Sequence, residues 1–257
     1  MAAEFRLGIQ SYCFRKFQPI SRLIDCLRQV GLKYVEIWPG HLDLNAGSDA
    51  VRQGLDAVRQ AGIKIDSFGT VRFGNDEAAV RQVLDFCRLA GLRSFTCADV
   101  ADEAVAMVDR LCDEYDLNLA IHNHGRKHSL GRYEAMQRLF SRTSKRFGVC
   151  LDTAWALDAG EDPLAALDLF GERLYGVHLK DFVFDASGKP KDVILGQGGL
   201  DMPAFMAKLN AMNYAGYLSI EYEGNPDDPM AEVGQCVGVV RDTIASLSGK
   251  GPGKKRK

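Results

Sequence analysis

The chain has 257 residues, 46% of them hydrophobic and 26% charged, with a formal net charge of −2. That length is long for an average domain and ordinary for a parallel α/β barrel, so one large core is within reach. Charges of both signs are well mixed and no apolar run approaches the length of a membrane span, so neither nucleic acid nor membrane is an expected partner.

Strand-like runs begin near Arg6, Tyr34, Ile63, Ser94, Asn118, Phe147, Leu174 and Tyr217. Most are separated by roughly 25 to 30 residues, the length of one strand-helix unit. Between them, helices are predicted from Ile20 to Val30, Asp49 to Ala61, Asp76 to Ala90, Ala101 to Tyr115, Tyr133 to Arg142, Pro163 to Phe170, Met202 to Ala211 and Met230 to Ser246. Gly31, Gly62 and Gly91 each stand where a helix must stop and turn into the next strand, a position that calls for left-handed backbone. Asp162 before Pro163, and Asp201 before Pro203, supply a capping oxygen ahead of a proline whose missing N–H costs nothing in a first turn.

This alternation predicts a single α/β domain over residues 1–247, a closed (β/α)8 TIM barrel. A doubly wound open sheet alternates in the same way, but it gathers its site at one switch point. Here candidate groups follow the second, fifth, sixth, seventh and eighth strands, as a ring of strand ends supplies. Residues 248–257 hold five basic residues and no apolar anchor, and are expected to form a disordered basic tail.

The connection from Phe182 to Leu200 follows the seventh strand and contains Ser187-Gly-Lys-Pro190 and Gly196-Gln-Gly-Gly199. A mobile lid or substrate loop is expected there, and its glycines could cradle a phosphate, although a plain loop is the simpler account. The cysteines, Cys13, Cys26, Cys87, Cys97, Cys112, Cys150 and Cys236, form no C-x-x-C pair and lie mostly in apolar segments. Free buried thiols and, with no N-terminal leader, a cytoplasmic location are expected.

Four apolar runs end in residues that bind metals or move protons: Leu119-Ala-Ile-His122-Asn-His124-Gly125, Val149-Cys-Leu-Asp152, Tyr175-Gly-Val-His178-Leu-Lys180-Asp181 and Leu218-Ser-Ile-Glu221. A lone histidine at a strand end is usually a hydrogen-bonded core group, but four such endings in succession point to one shared site. Side chains alternate across a strand, so His122 and His124 share a side, as do His178 and Lys180. His122, Asp152, His178 and Glu221 would satisfy one divalent ion and leave positions open for water or substrate oxygens.

These features resemble the sugar phosphate isomerase/epimerase family of the xylose isomerase-like TIM barrel superfamily, which also holds tagatose epimerases, inosose dehydratases, hydroxypyruvate isomerases and apurinic endonucleases. The resemblance spans nearly the whole chain and is carried by Leu7-Gly-Ile-Gln-Ser-Tyr12, Tyr34-Val-Glu-Ile37, His122-Asn-His-Gly125, Leu151-Asp-Thr153, Val177-His-Leu-Lys-Asp181, Leu195-Gly-Gln-Gly198 and Tyr217-Leu-Ser-Ile-Glu221. It implies metal ligands after strands five to eight, the last three being Asp152, His178 and Glu221. Strand five departs from the family, since His122 stands where relatives commonly carry glutamate. Imidazole in place of carboxylate removes one negative charge and adds nitrogen, which favours manganese, iron, cobalt or zinc over magnesium. His124 or His128 could approach the ion instead of His122, and spacing leaves that open.

The implied activity is that of a metal-dependent isomerase or epimerase acting on a sugar, keto sugar or sugar phosphate through an enediolate. Glu221 is the expected base, with Glu36, His124 or Lys180 as the opposite partner, although Glu36 and Lys180 read equally well as ion-paired rim groups. Trp155 occupies a place where relatives often carry histidine, and suits either the apolar face of a sugar or core packing. That change also counts against the endonuclease reading, since those enzymes use the histidine as a zinc ligand. Gln10, Tyr12 and Arg72 are further candidate substrate contacts. A dehydratase or other lyase on keto sugars or inososes is the second reading, and a non-catalytic carbohydrate-binding barrel with a degenerate metal site the third. The expected partner is a small carbohydrate, with homodimer formation through exposed helices and loops.

Overall fold

The computed structural model describes residues 4–247, so the basic tail expected over 248–257 lies outside the described residues. The first half runs β1 (Arg6–Gln10), α1 (Ile20–Val30), β2 (Tyr34–Ile37), α2 (Ser48–Gln60), β3 (Lys64–Phe68), β4 (Val71–Phe73), α3 (Glu77–Ala90), β5 (Ser94–Val100) and α4 (Val105–Glu114). The second half runs β6 (Asn118–His122), α5 (Tyr133–Phe140), β7 (Phe147–Asp152), α6 (Thr153–Asp158), α7 (Pro163–Phe170), β8 (Leu174–Leu179), β9 (Asp181–Phe184), β10 (Pro190–Val193), α8 (Met202–Ala211), β11 (Tyr217–Ile220) and α9 (Met230–Leu247).

Nine of these strands form one parallel sheet in the order β3-β2-β1-β11-β8-β7-β6-β5-β4. The two strands at the ends of that order, β3 and β4, are joined in the chain by only Gly69 and Thr70. They are therefore two halves of one barrel strand, β3 paired with β2 and β4 with β5, and the ring closes through them. All eight expected barrel strands are present, and the open-sheet alternative is excluded.

Helix boundaries follow from the residues that set them. In α1, Leu23, Ile24, Leu27 and Val30 repeat at helical spacing and are buried against the sheet side, and the helix packs on α2 and α9. It stops at Gly31, whose φ of 71° a side chain would resist, and the Leu32 N–H then donates to the Leu27 carbonyl. At the other end of α3, the Asp76 carboxylate accepts from the N–H groups of Ala78 and Ala79. The Asp162 and Asp201 caps form as expected, on Leu164 and Ala204.

The core has two parts. A shell of apolar side chains fills the space between sheet and helices. Inside the barrel, Ala120, Cys150 and Tyr217 form a separate small cluster with Tyr175 packed on it. Tyr217 closes the axis, its hydroxyl 2.6 Å from Thr96 Oγ1, which is in turn 3.0 Å from Ser67 Oγ. Glycine on the neighbouring strand makes this fit, because a Cβ at Gly176 would lie 2.0 Å from the Tyr217 ring. The barrel is thus plugged, and what lies above the plug opens only towards the C-terminal ends of the strands.

Four features depart from the expected layout. The predicted helix from Ala101 begins with a 3-10 turn, Asp102–Ala104, and the predicted helix to Arg142 ends at Phe140. A short helix, α6, follows Asp152 directly. The long connection after β8 carries an antiparallel hairpin of β9 and β10. The idea of a phosphate cradle in its glycines is corrected by Asp181, whose buried carboxylate accepts N–H bonds from Gly196, Gly198 and Leu200 at 2.9–3.0 Å. Those donors are already committed to an anion of the chain itself. All seven cysteines are free and buried, and no helix among the described residues is long and apolar enough to cross a membrane.

Candidate metal centre

His122, Asp152, His178 and Glu221 end or follow β6, β7, β8 and β11, four adjacent strands of the ring. Register brings them level, since Asp152 pairs with His178, and the Glu221 N–H donates to the Leu179 carbonyl at 3.0 Å. One donor atom from each lies within 4.8 Å of the other three. His122 Nε2 is 3.0 Å from His178 Nδ1, 3.5 Å from Asp152 Oδ2 and 3.6 Å from Glu221 Oε2. His178 Nδ1 is 2.9 Å from Glu221 Oε2.

Two of the four side chains are also held by atoms that face away from the cluster. Asp152 caps α6, its Oδ1 accepting the Trp155 N–H at 2.8 Å, while Oδ2 is buried without a hydrogen-bond partner. A buried carboxylate oxygen left unpaired is costly unless something positive completes it. His178 turns Nδ1 to the cluster and its Nε2 to Glu36 Oε2, 2.7 Å away. A carboxylate behind a histidine fixes the ring and its tautomer, the usual outer support of a metal ligand. Burial works against charge on His178, yet Cys150, Glu36 and Glu221 outweigh it and raise its pKa well above the ordinary value. His122 is also raised, by Asp152 and Glu221 against its burial. Two imidazoles and two carboxylates that together draw in positive charge, with one orphaned oxygen among them, fit a divalent cation.

Two neighbours set the strand ends through backbone groups and lend no donor atom to the cluster. Asn123 bridges β6 and β7, donating to the Asp152 carbonyl at 2.9 Å and accepting the Asp152 N–H at 2.8 Å. Thr153 Oγ1 donates to the Lys180 carbonyl at 2.6 Å and accepts the Lys180 N–H at 3.0 Å. Both stand in motifs that carry the family resemblance, but neither is expected as a site residue from the sequence, because both act through the backbone.

Over the cluster lies a cavity of about 300 Å³ lined by Gln10, Tyr12, Trp38, Thr70, His122, His124, Trp155, Glu221 and Glu223. Gln10, Tyr12 and Trp155 therefore line the same space as the cluster. His124 lines it too, its Nδ1 being 3.1 Å from the His122 carbonyl oxygen. Burial, with His122 and His128 nearby, pushes the His124 pKa down to about 2, so its imidazole is neutral.

Three of the expected residues stand apart from this cavity. Glu36 is wholly buried behind His178, so it orients that ring and does not reach the cavity. Lys180 is 1% exposed and pairs with Glu223; burial disfavours its charge, but Glu221, Glu223, Asp152 and Asp192 raise its pKa, and a fixed ammonium accepts no proton. Arg72 is exposed on β4 and does not line this cavity; Thr70, two residues earlier, takes that place. Trp38 and Glu223 are lining residues that the sequence reading passed over.

The chain is 25% identical over 211 residues to the rhizopine catabolism protein MocC of Rhizobium meliloti, a match covering 74% of this chain and 62% of that protein. It is 26% identical over 132 residues to an inosose dehydratase of Clostridium beijerinckii, covering 46% of this chain and 44% of that one. The chain thus spans less than two thirds of the length of these curated relatives. Among solved structures, IolI, which holds a zinc atom, superposes with a TM-score of 0.72 at 14% identity, covering 97% of this chain and 100% of the other. The 3-keto-D-glucoside 4-epimerase YcjR of E. coli superposes with a TM-score of 0.67 at 16% identity, covering 96% and 100%. The family model described as xylose isomerase-like TIM barrel matches residues 24–237, and the chain belongs to that family.

Proposed function

We propose that the protein is a divalent-metal-dependent isomerase or epimerase acting on a sugar, keto sugar or sugar phosphate. His122, Asp152, His178 and Glu221 are the residues that would hold the ion, and His122 is chosen over His124 because its Nε2 lies inside the cluster. When bound, the ion supplies Lewis acidity that polarises a carbonyl and its neighbouring hydroxyl. Two nitrogen donors in the set favour manganese, iron, cobalt or zinc over magnesium.

The observation that carries this reading is that two proton acceptors, the Glu221 carboxylate and the neutral His124 imidazole, line one cavity with the cluster. Glu221 takes a proton from the carbon beside a carbonyl. Return of that proton to the neighbouring carbon by the same group gives isomerisation; protonation of the original carbon on its opposite face through His124, which takes up a proton from solvent as Glu221 releases its own to solvent, gives epimerisation. Trp155 offers a flat apolar face to a sugar ring, while Gln10, Tyr12 and Thr70 offer polar edges. Lys180, held by Glu223, keeps a positive charge beside Glu221 and so favours its ionised form. Seven free thiols suit a reducing cytoplasm.

A second reading is favoured by the similarity to inosose dehydratase, since the same proton removal followed by loss of a β-hydroxyl is a dehydration. Incubating manganese-loaded protein with keto sugars and inososes in deuterated water separates the two. Reversible deuterium entry beside the carbonyl is the expected result, net loss of water selects the lyase, and absence of both from a protein that elemental analysis shows to be loaded removes the enzymatic reading.

A further inference from the structure

Beyond His124 and Trp155, a second cavity of about 520 Å³ opens, lined also by Arg126, Lys127, Asp158, Ser187, Gly188, Lys189 and Pro190. It shares its His124 and Trp155 walls with the cavity above the metal cluster. One of its cations is spent on structure. Arg126 Nη2 donates to Asp158 Oδ1 and to the Gly188 carbonyl oxygen, both at 2.7 Å, and so ties α6 to the tip of the hairpin. Asp158 is fully engaged by the same residue, accepting the Arg126 backbone N–H at Oδ2. The two remaining cations, Lys127 and Lys189, have ammonium groups in no ion pair or hydrogen bond among the described residues. The compartment therefore presents two ammonium groups outside any ion pair, from two different loops, although Lys127 acts at a distance on Asp158 and Lys189 on Asp185.

We propose that this compartment is an anion subsite, which holds a phosphate ester or carboxylate at the far end of the substrate while the near end occupies the cavity over the cluster. The proposal rests on the reading that the near cavity takes the carbohydrate's reacting carbons. Arg126 acts here as a strut that holds the hairpin tip in place, and Lys127 and Lys189 supply the attraction. A ligand reaching from one cavity to the other passes over Trp155, whose indole is fixed edge-on against Phe182 with ring centroids 5.0 Å apart.

The test compares binding of fructose, fructose 6-phosphate and fructuronate to the manganese-loaded protein by calorimetry. Measurements are made on the wild type, on the Lys127→Gln/Lys189→Gln double variant, and on Lys191→Gln, which removes a charge from the same hairpin outside the compartment. All three positions are exposed, so the variants keep the fold. The expected result is about tenfold tighter binding of a charged ligand over fructose. The double variant abolishes that preference and Lys191→Gln retains it. Preference for only one charged ligand identifies the group as phosphate or carboxylate. Equal affinities, absence of binding by all three, a preference that survives the double substitution, or one that Lys191→Gln also removes overturns the subsite. Proton exchange is not read here, so a protein that discriminates charge without exchanging deuterium loses the isomerase reading and keeps the subsite.

Discussion

Inside the barrel, Ser67, Thr96 and Tyr217 pass hydrogen bonds along a closed chain, whereas above them Asp152 Oδ2 and Glu36 Oε1 are buried with no hydrogen-bond partner. Both regions are built from the same ring of strands. The plug satisfies its polar atoms internally, as a group serving stability must. The rim concentrates two carboxylates and two imidazoles close enough together to share an added positive charge. The satisfied plug and the candidate metal centre are thus stacked along one axis, with the Tyr217 ring 6.5 Å from that of His178 at the boundary.

The contrast can be broken by substitutions that act on one layer alone. Asp152→Asn keeps the capping oxygen for Trp155 but removes a ligand charge, so metal affinity falls on the order of 100-fold or more. The metal-free protein does not lose stability, because an unpaired buried charge has gone. Metal titration and thermal unfolding of the stripped protein check both halves, and a metal-free variant that melts well below the wild type would assign Asp152 to structure. Glu36→Gln lowers metal affinity by about 10- to 100-fold while leaving the cavity lining intact, since it changes only the support of His178. Tyr217→Phe sharpens the other side: it costs about 1 kcal/mol by denaturant unfolding, through the hydroxyl lost to Thr96. Metal affinity is unchanged in that variant, and a shift in it would show that the plug and the rim are one unit.

Much of this layering was legible in the chain. The glycines at positions 31 and 91 end helices with φ of 71° and 74°, and the strands announce themselves as apolar runs because helices cover one face and the barrel interior the other. The four cluster residues were legible for the same reason, since each breaks an apolar run at its end. Depth along the axis was not legible. Glu36 and Gln10 are register partners on β2 and β1, yet Gln10 lines the cavity and Glu36 lies behind His178. Alternation gives the side of a strand, and not whether a neighbouring ring stands in the way. Helix α6 was hidden because Asp152 both ends a strand and caps a helix, leaving no loop to mark the change. The hairpin was hidden by its shortness, with β9 and β10 only four residues each.

The engagement of Asp181 by Gly196, Gly198 and Leu200 has a consequence for how such a barrel diversifies. The base of the hairpin is fixed by a buried carboxylate, so exposed side chains at its outer end, such as Ser187 and Lys189, can change without disturbing the register of the strands below. If the proposed subsite holds, substrate preference would change there through exposed positions such as Lys189, with the cluster below left as it is.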